Sequence, residues 1–216
     1  MSAKLHLFDV DHTITRGSTG RRFAQAAARR GILKLRHLAI IPLNYAAYRL
    51  GKGGTSFFEG EFPAIKGVEK SLLEAISREV FETSTSKALR PELLERIASI
   101  RAEGGSVVLA TSSLDFIVRP LADFLGAEAV LASGLEYDGG RCTGRLAGAA
   151  LFGAAKRDAV LAFARARGVD LADCAFYSDS IHDLPLLVEV GEPIAVAPDR
   201  RLRREARSRG WLILEP

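Results

Sequence analysis

Carboxylate, hydroxyl and amine side chains recur in this sequence where short apolar runs end. Apolar runs at residues 5–8, 106–110 and 174–177 are typical of buried strands. The polar residues associated with them are Asp9, Asp11, Thr111, Ser112, Asp179 and Asp183, with Lys156 in the first turn of a predicted helix. Because ligands bind beyond the carboxyl ends of parallel strands, these side chains are predicted to converge on one site.

The residue types at this predicted site suit phosphoryl transfer. Two carboxylates placed two residues apart, Asp9 and Asp11, can act as nucleophile and proton carrier. The additional carboxylates would repel one another, and Mg²⁺ relieves such repulsion because it prefers oxygen ligands and needs only two or three carboxylates. The amine of Lys156, the hydroxyl of Thr111 and loop N–H groups are suitable partners for the charge that spreads over a phosphoryl group.

Each of these residues also has an ordinary structural explanation. An Asp pair at a strand end commonly forms a turn, and Thr111 could cap a helix. Lys156 could be a solvated helix residue, and Asp179 and Asp183 could cap the helix that follows them. Their occurrence together, in this order along the chain, favours the functional interpretation.

The elements that would position the site alternate between strand and helix. Strands are predicted at 5–8, 106–110, 129–132, 174–177 and 194–196, with an edge strand near Leu212. Helices are predicted at 91–102, 114–125, 154–167 and 183–190, followed by an Arg-rich helix. This alternation predicts an α/β fold with a Rossmann-like, doubly wound parallel sheet.

A helical block interrupts this pattern directly after the first strand. Helices are predicted at about 21–30, 35–50 and 68–81, and no convincing strand pattern occurs between residues 18 and 81. We therefore predict a helical cap at 17–85 and a discontinuous core formed by 1–16 and 86–216. A hairpin is predicted at 135–146, around Gly139 and Gly140, within the core.

The motifs resemble those of the haloacid dehalogenase superfamily. The segment Asp9-Val-Asp-His-Thr resembles the first motif, Thr111 the second, Lys156 the third, and the segment from Ser178 to Asp183 the fourth. All four occur in the family's order and together cover most of the chain. The helical insert after the first motif resembles the phosphoserine phosphatase-like branch.

This resemblance implies a role for each residue. Asp9 would attack phosphorus, and Asp11 would protonate the leaving group and then activate water. Mg²⁺ would be held by the carboxylates of Asp9 and Asp179 and by the backbone carbonyl of Asp11. The remaining roles are supporting ones: Thr111, Ser112 and Lys156 would bind the phosphoryl oxygens, and Asp183 would stabilise the site from beside the metal.

Two departures from the family pattern bear on the substrate. Phosphoserine enzymes carry a Glu where this chain has Ser18, so phosphoserine is not the expected substrate. Ser178 and Ser180 stand where glycines are common. The apolar stretch 35–50 is interpreted as the core of the cap, and an apolar substrate tail or a membrane surface is the alternative.

Composition narrows the class of protein. A chain of 216 residues suits one α/β domain with a small insert. The net charge of +4 favours anionic substrates but is too small to indicate nucleic acid binding, and the Arg-rich terminal helix is interpreted as a solvated face rather than a phosphate or membrane patch. The two cysteines form no disulfide framework, and the N-terminus reaches its first strand too soon for a signal peptide, so a cytoplasmic location is expected.

The predicted function is a Mg²⁺-dependent phosphatase acting on a small phosphomonoester. The alternatives are a phosphotransferase or mutase that uses the same phospho-aspartate, a phospholipid head-group phosphatase with peripheral membrane contact, and a non-catalytic phosphate-binding module. Retention of the complete set of reactive residues argues against the last. The natural substrate and the oligomeric state are not predicted.

Overall fold

The computed structural model describes residues 5–33 and 62–216. Their main element is a six-stranded sheet in the order β3-β2-β1-β6-β7-β8, and all of its neighbouring strands are parallel. The strands are β1 (Leu5–Phe8), β2 (Ser106–Leu114), β3 (Ala129–Ser133), β6 (Cys174–Ser178), β7 (Glu192–Val196) and β8 (Leu212–Leu214). The predicted doubly wound parallel sheet is confirmed.

Helices cover both faces of the sheet. On one face α3 (Pro91–Ala102) and α4 (Asp115–Leu125) pack against β1, β2 and β6 through residues such as Leu93, Ile97 and Leu121. On the other face lie α5 (Ala154–Ala166), α6 (Leu184–Leu187) and α7 (Arg200–Arg209). Burial of both faces explains why the strands are continuous apolar runs.

The short strand β1 lies at the centre of the sheet. All four of its residues are buried, and Leu5 pairs with Ser106 on one side and with Cys174 on the other. The chain leaves β1 toward β2 in one direction and returns to β6 in the other, so the end of β1 is the topological switch point of the sheet. Asp9 follows directly at this position.

A third apolar cluster lies outside the sheet. It joins α1 (Thr19–Arg29), α2 (Lys70–Val80) and the hairpin formed by β4 (Leu135–Asp138) and β5 (Arg141–Leu146). The hairpin is tied to the segment before α2, because the N–H of Gly67 donates to Cys142 and the N–H of Cys142 donates to Val68, at 2.7 and 2.9 Å. The hairpin therefore packs with the cap helices rather than with the six-stranded sheet.

The structure differs from the sequence prediction at several element boundaries. Strand β2 does not end at Ala110 but continues to Leu114 after a shift of register, so Thr111 and Ser112 lie within the strand rather than beyond it. The helix predicted at 183–190 is instead a 3₁₀ turn at Ile181–Asp183 followed by the short α6. After α2 the backbone widens into a π-turn at Phe81–Thr85, where the chain returns to the core.

The apolar stretch predicted as a helix at 35–50 lies outside the described residues. Within the two described segments, no helix is long and apolar enough to cross a membrane. The domain boundaries at residues 17 and 85 stay a prediction.

Candidate active site

Asp9 occupies the end of the central strand and is buried. Its N–H donates to the carbonyl of Tyr177 at 2.9 Å, which extends the pairing between β1 and β6 by one residue. The rings of the preceding residue, Phe8, and of Tyr177 are stacked with centroids 4.2 Å apart. Only 6% of Asp9 is exposed, so its carboxylate faces a confined space at the sheet edge.

Lys156, from the first turn of α5, lies between two buried carboxylates. Its ammonium is 3.1 Å from Oδ1 of Asp9 and 2.8 Å from Oδ1 of Asp183. Lys156 and Asp183 are each 3% exposed. The three residues come from three separate elements, and the predicted contact between helix α5 and the strand ends is thus present.

The electrostatics of this group follow from burial and charge. Burial raises the pKa of Asp9 to about 7 against the opposing charge of Lys156, and the charges of Asp183 and Asp11 act in the same direction as burial. For Lys156, burial alone would lower the pKa, but the charges of Asp183 and Asp9 outweigh it and hold the pKa above its ordinary value. Lys156 is therefore a fixed positive charge at the site.

Ser178 contributes a contact that the sequence did not reveal. It is fully buried at the end of β6, and its hydroxyl donates to Oδ2 of Asp183 at 2.6 Å. The same oxygen of Ser178 accepts from the N–H of Ser180 at 3.2 Å, which shapes the loop after β6. The residue that replaces the common glycine thus supports the carboxylate that holds Lys156.

The carboxylate of Asp11 points to the start of helix α1. It accepts hydrogen bonds from the N–H and the hydroxyl of Thr19 and from the hydroxyls of Ser18 and Ser113. Asp11 was predicted as a site residue, whereas Thr19 and Ser113 were not. The only signal for them was a hydroxyl-rich composition near Asp11 and near Thr111.

Thr111 and Ser112 occupy the irregular part of β2. Thr111 is 1% exposed, and its hydroxyl oxygen accepts from the N–H of Ser113 at 3.2 Å. The carbonyl of Ser112 accepts from the hydroxyl of Ser133 at 3.4 Å. Thr111 and Ser112 both lie within the register shift between Ala110 and Leu114, where the regular pairing of β2 with β3 is interrupted.

Asp179 is fixed from two sides. The hydroxyl of Thr13 donates to its Oδ1 at 3.4 Å, and its carbonyl accepts from the N–H of Asp199 at 2.8 Å. Asp199 caps helix α7 through Oδ1 and accepts the N–H of Ile181 through Oδ2 at 2.9 Å. Asp199 therefore anchors the loop that carries Asp179, a role that the sequence did not indicate.

The donor set fits a hard divalent cation. Two buried carboxylates, Asp9 and Asp183, contact the single ammonium of Lys156, and a third buried carboxylate, Asp179, directly follows β6. The raised pKa of Asp9 comes first from burial, and the negative charges of Asp183 and Asp11 add to it. In the described segments, no three His, Cys, Asp or Glu side chains form a complete chelating group. Mg²⁺ needs no such group, because two carboxylates, one carbonyl and several waters complete its shell.

Comparison with known proteins shows similarity to a hydrolase family and to named phosphatases. The sequence model of a family described as haloacid dehalogenase-like hydrolase matches residues 6–188. The phosphoserine phosphatase SerB1 of Mycobacterium tuberculosis is 32% identical over 211 residues, which cover 95% of this chain and 68% of that protein. A histidinol-phosphatase of Neisseria meningitidis is 27% identical over 218 residues, which cover 97% of both chains.

A solved structure has nearly the same backbone. A protein of unknown function from Bordetella pertussis superposes with a TM-score of 0.88 at 28% identity, over 100% of this chain and 99% of that one. The arrangement of sheet, helices and hairpin described above is therefore shared by a relative of the same length.

Proposed function

The chain belongs to the haloacid dehalogenase-like hydrolase family, and we propose that it is a Mg²⁺-dependent phosphomonoester hydrolase that works through a phospho-aspartate on Asp9. The supporting observation is the buried group of Asp9, Lys156 and Asp183. Among the hydrogen bonds of the described residues, Asp9 accepts through Oδ1 from Lys156, and Oδ2 is left for attack.

The first half of the proposed reaction forms the phospho-enzyme. Oδ2 of Asp9 attacks phosphorus, and the bond from phosphorus to the ester oxygen breaks. Asp11 gives its proton to that oxygen, so that the leaving group departs as an alcohol. Lys156, the hydroxyl of Thr111 and the N–H of Ser112 bind the phosphoryl oxygens and balance their charge.

The second half returns the enzyme to its starting state. Asp11, now a carboxylate, takes a proton from water as the water attacks phosphorus. The bond between phosphorus and Asp9 breaks, its electron pair returns to the carboxylate, and inorganic phosphate leaves.

The proposed metal ligands are the carboxylates of Asp9 and Asp179 and the backbone carbonyl of Asp11. Mg²⁺ bound there would neutralise the charge of Asp9 and of the incoming phosphate, which otherwise repel each other. Asp183 is not one of the proposed metal ligands and instead positions Lys156 through their ion pair. The proposed location is the cytoplasm, which is consistent with the free thiols of Cys142 and Cys174.

The proposed substrate is a small phosphomonoester other than phosphoserine. Relatives of similar identity are named for different substrates, phosphoserine and histidinol phosphate. Family membership therefore does not select the leaving group. Ser18 offers no charge to a substrate ammonium, and its hydroxyl is directed to Asp11.

The proposal is tested by measuring phosphate release from a panel of phosphomonoesters in the presence of Mg²⁺. Asp9→Asn is the variant expected to be inactive, and Asp123→Asn, at an exposed position, is its matched control. Acid-stable labelling of wild-type protein at Asp9 by substrate, absent in Asp9→Asn, is expected. Transfer of the phosphoryl group to an added alcohol in preference to water would instead identify a phosphotransferase. No turnover and no labelling of Asp9 across the panel would refute the proposal.

A further inference from the structure

Four donors converge on the carboxylate of Asp11. Oδ1 accepts hydrogen bonds from the N–H of Thr19 at 2.8 Å and from the hydroxyl of Thr19 at 2.7 Å. On Oδ2, the hydroxyl of Ser18 lies at 3.2 Å and that of Ser113 at 3.1 Å. Both oxygens are engaged, so the plane of the carboxylate is fixed as well as its position.

These donors come from two different parts of the molecule. Ser18 and Thr19 begin helix α1 of the cap, whereas Ser113 belongs to the central sheet through β2. The hydroxyls of Thr19 and Ser113 are also 3.0 Å apart. Asp11 and the two hydroxyls thus form one hydrogen-bonded group across the boundary between cap and sheet.

Thr19 is the best-placed member of this group. It is 2% exposed and supplies two of the four donors. Ser18 is half-buried and is also used as the N-cap of α1, where it accepts from the N–H of Arg21 at 3.2 Å. A hydroxyl has one proton, so the hydroxyl of Ser113 donates either to Asp11 or to Thr19 at any moment.

We propose that Thr19, with Ser18 and Ser113, positions the carboxylate of Asp11 for proton transfer in the hydrolysis of the phospho-enzyme. This inference rests on the proposed function. In that step a proton moves from water to Asp11 while the water oxygen bonds to phosphorus and the bond to Asp9 breaks. Donors on both oxygens fix the orientation of the carboxylate, so that it is aligned before the water attacks. When the hydroxyl of Ser113 donates to Thr19 instead, one acceptor site on Oδ2 is open to the proton of the water.

The same geometry predicts which half-reaction depends on the group. In hydrolysis Asp11 begins as a carboxylate, and both of its oxygens can accept from these donors. In formation of the phospho-enzyme one oxygen of Asp11 carries the proton to be donated, and that oxygen has one acceptor site fewer for the same donors. Loss of a donor is therefore expected to slow hydrolysis more than phosphorylation, and the phospho-enzyme should accumulate.

The test compares Thr19→Val, which removes the hydroxyl at nearly constant volume, with Thr19→Ser, which keeps it, and with Ser113→Ala. The matched control is Thr83→Val, because Thr83 is an exposed cap residue whose hydroxyl, among the described residues, donates to the backbone carbonyl of Glu79. The readouts are kcat, KM and the steady-state fraction of phospho-enzyme in a rapid quench. Thermal unfolding verifies that each variant is folded.

We expect Thr19→Val to lower kcat about tenfold, a part of the 10²–10⁴-fold that a general base supplies, with KM changed less than about twofold. The phospho-enzyme fraction should rise in Thr19→Val and, less strongly, in Ser113→Ala. Thr19→Ser should retain at least about a third of wild-type kcat, and Thr83→Val should match wild type.

A folded Thr19→Val with wild-type kcat, or one whose phospho-enzyme fraction falls, would overturn the inference while leaving the proposed function intact. An equal loss in Thr19→Ser would also overturn it, because the hydroxyl would then not be the operative group. Failure of the proposed function has a different signature, since the wild-type protein itself would then form no phospho-enzyme.

Discussion

The hydroxyl of Ser178 lies 2.6 Å from Oδ2 of Asp183, and both side chains are buried. Asp183 in turn holds Lys156, and Lys156 holds Asp9. A residue at the end of β6 is therefore connected to the proposed nucleophile at the end of β1 through three consecutive polar contacts.

Removal of the Ser178 hydroxyl should loosen this connection. Ser178→Ala leaves one buried carboxylate oxygen with a donor fewer, and a hydrogen bond to a charged group contributes roughly 1.5–3 kcal/mol. We expect the free energy of unfolding to fall by about that amount in denaturant titrations. The control is Ser99→Ala, an exposed serine bonded to Glu103, for which a change below about 0.5 kcal/mol is expected. Equal effects in the two variants would contradict the role of Ser178.

Replacement of Lys156 by Met should destabilise the fold and abolish turnover. The substitution leaves Asp9 and Asp183 as buried carboxylates without their counter-charge, and such losses cost about 3–5 kcal/mol. Adding Asp183→Asn to Lys156→Met should restore part of the stability but no activity. Exposed Lys87→Met is the matched control. The single variant Asp183→Asn is measured as well. If Asp183→Asn lowers the free energy of unfolding by the same amount in the wild-type protein and in Lys156→Met, the two residues do not interact.

Asp9→Asn should remove the proposed nucleophile while preserving its shape. We expect turnover to fall by at least about 10³-fold, because an amide cannot form the covalent intermediate proposed for this position. The measurement is the rate of phosphate release at saturating substrate, beside Asp123→Asn. More than a tenth of wild-type turnover in a folded Asp9→Asn would be incompatible with the phospho-aspartate mechanism.

Chelation should abolish activity and Mg²⁺ should restore it. Ca²⁺ is expected to bind but to inhibit, because its larger and looser coordination shell misplaces the Asp9 carboxylate for in-line attack. The experiment measures turnover after exhaustive chelation and after readdition of each cation. Undiminished turnover in the chelated protein would show that the excess carboxylate charge of the site is not used for metal.

Phosphoserine should be a poor substrate, and Ser18→Glu should not improve it. A glutamate at position 18 would place a second negative charge beside the carboxylate of Asp11, which Ser18 contacts at 3.2 Å. We therefore expect Ser18→Glu to lower kcat/KM for every phosphomonoester of the panel. Phosphoserine emerging as the best wild-type substrate by tenfold or more would refute the argument from Ser18.

Local sequence patterns predicted most of the fold. The apolar run of β1 and the helix α3, which begins at Pro91 and ends at Ala102 as predicted, depend on neighbouring residues alone. The strand ends also indicated Asp9 and Asp183, because parallel strands bring their carboxyl ends together, and the first turn of a predicted helix indicated Lys156. The structure places these three in direct contact.

Contacts between distant segments could not be predicted in the same way. Ser113 contacts Asp11 and Thr19 from within the register shift of β2, between Ala110 and Leu114, and nothing in residues 106–114 signals that irregularity. The attachment of the β4–β5 hairpin to the cap is likewise determined by pairing between remote segments. A hydrophobic pattern identifies a hairpin but not the surface on which it packs.

That hairpin also constrains the order in which the protein can fold during synthesis. Gly67, Val68 and the first residue of α2, Lys70, form backbone hydrogen bonds with Cys142 and Gly140 of the hairpin. The helices α1 and α2 are therefore synthesised before the hairpin with which they pack. Their apolar cluster includes Leu135 and Cys142, so it stays incomplete until β5, which follows β2 and β3 in the chain, has been synthesised. A fragment that ends at β3, or one restricted to residues 17–85, is accordingly expected to lack a complete cap.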